Sequence, residues 1–118
     1  MILSKEQGEA LQEWCIRLIA NFRIDYFRGN ILVDVVDYLS AGGAHRLLRA
    51  KNLCFGAKRM SVGRDASSDG AIRECVHEIE GKAGLSPKVT TAISSIILGD
   101  WDKAVEGVCS LRGEAKSN

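Results

Sequence analysis

The sequence predicts an all-α single domain, an irregular bundle of five or six short helices. Three observations point there. Apolar residues recur at three- and four-residue steps along most of the chain, the spacing of one helix face. Glycines and short polar capping residues stand between those runs, where helices stop and start. The 118 residues are 46% hydrophobic and 26% charged, with one proline. A chain of that size buries roughly two thirds of its surface in one core without metal or disulfide staples. The composition excludes wholesale disorder, a proline-rich linker and a collagen-like repeat.

The first helix is expected over residues 4–28. Ser4 and Gln7 form a capping-box pattern, in which each side chain satisfies a free backbone donor. Leu11, Trp14, Cys15, Leu18, Ile19, Phe22 and Tyr26 make one apolar stripe; Ile16, Ala20, Ile24 and Phe27 make a second. Two stripes predict a helix covered from two sides, central in the bundle. Gly29 is its expected terminator. Asn30 then caps residues 31–40. Their β-branched content favours a strand, and Gly29-Asn30 a hairpin turn. The periodicity favours a helix, because Ile31, Leu32, Val35, Val36 and Leu39 fall on one side, with Asp34 and Asp37 on the other. The reading is a helix stopped by Gly42-Gly43.

Residues 44–52 form a short helix with Leu47 and Leu48 inward and Arg46, Arg49 and Lys51 outward. Residues 53–67 lack a period and read as a loop, so a basic helix-loop segment spans 44–67. Ser68 caps the next helix, which buries Ala71, Ile72, Cys75, Val76 and Ile79 and ends at Gly81 and Gly84. Ser86-Pro87 opens a helical hairpin over 86–112. Its first arm carries Val89, Ala92, Ile93, Ile96 and Ile97 up to Gly99. Asp100 caps the second, with Trp101, Ala104, Val105, Val108 and Leu111 inward. The tail 113–118 is polar and expected to fray.

Residues 92–111 resemble the turn and second helix of one tetratricopeptide repeat. Small and apolar residues precede Leu98-Gly99-Asp100, and Trp101 and Lys103-Ala104 follow. The resemblance covers only those residues and implies a helical hairpin; no ligand residue carries over. Ala83-Gly84-Leu85-Ser86 resembles the turn before a helix-turn-helix recognition helix. The helix that follows offers Thr90, Thr91, Ser94 and Ser95 but only Lys88 as a base, where a DNA reader exposes several.

The net charge of +1 hides three blocks. Residues 1–40 carry −2, residues 41–64 carry +6 with no acid, and residues 65–118 carry −3. The middle block is an electrostatic footprint for phosphate or for an acidic protein surface. Four cysteines without a CxxC pair, behind an N-terminus lacking a secretory pattern, predict free thiols in the cytoplasm. No apolar run approaches the twenty or so residues of a membrane span.

Catalytic patterns are thin. Gly56 to Gly63 does not place its lysine and hydroxyl as a phosphate loop needs, and no G-x-S-x-G occurs. Glu74 and Glu78, four apart, read as a solvated helix face. His45, Cys54, Cys75 and His77 are the available soft ligands; Cys75 and His77 point apart on one helix. No metal, cofactor or enzyme activity is expected. The sequence reads as a small cytoplasmic binding domain, an adaptor, inhibitor or regulator. Its bases Arg46, Arg49, Lys51, Lys58, Arg59 and Arg64 are expected to meet an acidic protein surface. One alternative is a nucleic-acid-binding regulator using the same bases on phosphates. Another is a homo-oligomeric subunit joined through surplus apolar residues of the first helix.

Overall fold

The helix boundaries follow from where the backbone finds caps. A computed structural model describes residues 3–22, 24–63 and 69–113. Among the described residues there are six helices and no strand. Helix α1 is Lys5–Phe22. The Ser4 and Gln7 capping box is present in both directions: the Ser4 N–H donates to Gln7 Oε1 (3.0 Å), and the Gln7 N–H to Ser4 Oγ (3.1 Å). The Gln7 amide also donates to the Ala83 carbonyl (2.8 Å), tying this end of α1 to the end of α4.

The first helix is shorter than its apolar spacing suggests. The Ile24 N–H closes back on the Ile19 carbonyl, and Asp25 caps a new helix, α2 (Tyr26–Ala41), by accepting from the Arg28 N–H at 2.8 Å. Gly29 and Asn30, expected at the junction, lie inside α2. The second stripe divides accordingly: Ile16 and Ala20 are exposed, while Ile24 and Phe27 lie beyond α1. So α1 is peripheral, not central. Helix α3 runs over Ala44–Arg59, past the expected end near residue 52. It continues because Cys54 and Ala57 extend the buried stripe of Leu47 and Ala50 into the core. The stretch 53–59 is therefore helical, not loop. Helix α4 is Asp69–Ala83; its expected cap Ser68 lies outside the described residues, as does the tail 114–118. Gly81 is inside α4, and Gly84, with φ +62°, ends it. Helix α5 is Pro87–Leu98, capped by Ser86 and Gly99; α6 is Trp101–Ser110, capped by Asp100.

The helices stack as two three-helix layers. Neighbours pack in order within α1–α2–α3 and within α4–α5–α6. Across the layers α1 lies on α4, α2 on α5 and α3 on α6. The middle helices, α2 and α5, therefore have the most neighbours. Both are apolar around much of their circumference, which is why the valines of α2 read as a strand. Val89, Ala92, Ile93, Ile96 and Ile97 of α5 are all fully buried. Gly107 sets the α5–α6 distance: a Cβ there would stand 2.9 Å from Ala92 Cα. The Cα radius of gyration, 13.0 Å, is what one domain of this size requires.

Candidate functional site

The basic segment becomes one helix. Residues 44–59, the span of α3, contain no acid. Ala50, Cys54 and Ala57 turn the inner side of α3 to the core at 0% exposure, so its long side chains face outward. Leu48 (54% exposed) and Phe55 (43%) stand seven residues apart, which is two helical turns. With His45, Asn52 and Arg59 they form one outward stripe. Leu48 was expected inside; Leu47, its neighbour, takes the core position at 7% exposure.

The six expected contact bases divide by what they touch. Arg49 grips a buried carboxylate: Nε donates to Asp34 Oδ2 at 2.8 Å and Nη2 to Asp34 Oδ1 at 2.5 Å. Hydrogen bonding and attraction to Asp34 hold its guanidinium above the usual arginine range. Asp34 is thereby matched by a bidentate partner from the surface. Lys58 pairs with Asp102 at 2.5 Å, both side chains largely exposed; such a surface pair adds little stability. Arg46 donates from Nη1 to the Gly42 carbonyl at 3.1 Å, at the end of α2. Lys51 and Arg59 have no ion pair with another described residue. Arg64 lies outside the described residues.

Beside this stripe a groove of about 540 Å³ runs between α3 and α6. Leu48 and Ala44 stand exposed over a floor of buried Tyr38, Leu47 and Val108, and Lys51 and Arg112 give it cations, with the His45 imidazole beside them. Among the described residues, no carboxylate lines it. The Tyr38 hydroxyl accepts from the Gly113 N–H at 3.1 Å, which fixes the far wall after α6. The Cys109 thiol, exposed on α6, opens into the same groove. Sequence reasoning missed Leu48, Phe55 and Arg112. The spacing of Leu48 and Phe55 was a usable signal, hidden because residues 53–67 read as a loop.

A second charged cluster is structural. Arg28 of α2 is 1% exposed. It pairs with Asp25 and lies 5.1 Å from the Trp101 ring centre, and Phe27 meets the same ring edge-on. Trp101 Nε1 donates to the Val62 carbonyl at 2.8 Å. A Cβ on Gly99, whose φ is +73°, would stand 2.7 Å from Arg28 Nη2. The cluster thus joins the start of α2 to the α5–α6 turn.

The four cysteines are free thiols. Burial pushes Cys15 up to about 12. Burial first, then the nearby Cys109, pushes Cys54 up to about 12. Among the described residues no three His, Cys, Asp or Glu side chains gather to hold a metal ion. No described helix is long and apolar enough to cross a membrane. The chain matches no protein-family model, no curated protein and no solved structure, so its geometry alone carries the reading below.

Proposed function

We propose that the protein is a non-enzymatic binding domain, an adaptor, inhibitor or regulator, whose α3 face meets an acidic surface of another protein. One observation carries the reading: Leu48 and Phe55 are exposed on a helix that has bases and no acid. Apolar anchors ringed by charge are the anatomy of a protein interface, where a few buried side chains supply most of the affinity. The flanking cations select an acidic partner and speed its approach. Arg49 and Lys58, being paired internally, and Arg46, bonded to the Gly42 carbonyl and two residues from Leu48, move to a supporting role; Lys51 and Arg59 are the contact bases of α3. The free thiols fit a reducing compartment such as the cytoplasm.

Nucleic acid fits the same face less well. A phosphate backbone is met by many cations and few large apolar side chains, whereas here internal carboxylates occupy two of the bases.

The test is affinity purification from the native source, comparing the parent with the double variant Lys51→Glu, Arg59→Glu. The expected result is an acidic protein retained by the parent and lost by the variant, with both melting alike. Retention by both removes the reading. DNA or RNA binding at about 50 mM salt, with a log–log salt slope near −5, replaces it with the nucleic-acid alternative.

A further inference from the structure

We infer that the groove between α3 and α6 seats an amphipathic helix of the acidic partner. Its apolar ridge would lie on Leu48 and Ala44, and its carboxylates toward Lys51 and Arg112. The inference rests on the proposed function and specifies how that partner is held.

Both walls of the groove are built from helix ends and offer no strand edge. An extended segment laid there would find no strand edge to pair with, and its polar backbone would lose water without compensation. A helix arrives with its backbone already satisfied and offers side-chain ridges, which suit a furrow between two helices.

The chemistry of the walls selects the rest. Leu48 and Ala44, exposed over a floor of buried Tyr38, Leu47 and Val108, call for an apolar stripe at i, i+3, i+4 and i+7 of the incoming helix. His45, Lys51 and Arg112 stand around that surface with no carboxylate among the described lining residues. Acids flanking the apolar ridge answer Lys51 and Arg112.

Cys109 supplies a reporter inside the groove. Cys15 and Cys54 are buried with raised pKa values and react poorly near neutral pH. A Cys75→Ala background therefore leaves Cys109 as the one described thiol open to a maleimide.

Three synthetic peptides of about 18 residues, long enough to form a helix, make the test. The first carries leucines on one helical face and glutamates elsewhere; the second has the same residues with the leucines scattered; the third has lysine in place of glutamate. The first peptide is expected to gain helicity by circular dichroism and to slow Cys109 labelling about tenfold, an effect lost in Leu48→Glu and Lys51→Glu. Equal protection by the scattered peptide overturns the helix inference and leaves the acidic-partner reading standing. Equal protection by the lysine peptide overturns both. No protection by any peptide overturns the helix inference. Protection that rises with the protein's own concentration assigns the groove to a second copy and overturns it. Protection without peptide that disappears when the chain is cut after Gly113 assigns it to the chain's own end, with the same consequence.

Discussion

Asp25 shows how much one residue decides. Its carboxylate caps α2 through the Arg28 N–H and also pairs with the buried Arg28 guanidinium. Asp25→Ala removes both, and the expected loss is roughly 2 kcal/mol, discounted because the carboxylate is half exposed. A denaturant midpoint unchanged from the parent contradicts that role. Trp14, buried at 6% exposure, packs α1 into the core, and Trp14→Ala is expected to cost about 3–5 kcal/mol. Chemical denaturation checks it, and a loss below about 1 kcal/mol contradicts the packing. Trp14 was legible because the first apolar stripe holds whether α1 ends at residue 22 or 28. Asp25 was not, because an aspartate between two apolar runs looks like one polar step of a continuous helix.

Element boundaries were legible where a cap signal stood alone. Ser86-Pro87, Gly99 and Asp100 mark α5 and α6 as expected, and each side-chain cap accepts its backbone N–H. Ends failed where apolar spacing ran across a cap, as at Asp25, or where small residues carried the buried stripe. Cys54 and Ala57 continue α3, but neither reads as strongly apolar, so the spacing alone ends the helix near residue 52. Glycines inside helices also separate into two kinds. Gly107 is a contact: Gly107→Ala pushes a methyl against Ala92 and is expected to cost about 1–3 kcal/mol. A Cβ on Gly81 meets open space, so Gly81→Ala is expected to stabilise α4 by about 0.5–1 kcal/mol. Thermal melts of the pair check the distinction, and equal shifts contradict it.

At the scale of the whole molecule, the bundle was legible from periodicity, while the order of its layers was not. Helix faces tell which side is buried and not by which partner, so α1 was placed at the centre where α2 and α5 stand. The candidate face was half legible: the charge block located α3, but only the fold shows which bases are already paired. The core also imposes a pH dependence. Cys15 and Cys54 stay protonated in the fold up to about 12, against 9.0 for an open thiol. From about 9 to about 12 the unfolded chain releases protons that the fold retains, so stability falls as pH rises through that window. The slope is at most roughly 1.4 kcal/mol per pH unit per thiol. Cys15→Ala is expected to flatten it, as denaturation at about pH 8 and about pH 10.5 shows; an unchanged slope contradicts the burial of that thiol.

Leu48 on α3 and Ile16 on α1 are both exposed apolar residues, at 54% and 60%. Glutamate at either is expected to leave stability within about 0.5 kcal/mol. The decisive measurement is the affinity of the acidic protein proposed to bind α3, once purified, for Leu48→Glu and for Ile16→Glu, side by side. A loss of about tenfold or more for Leu48→Glu, with Ile16→Glu binding like the parent, is the predicted result. Unchanged binding by Leu48→Glu, or a loss confined to Ile16→Glu, contradicts the assignment of α3 as the binding face.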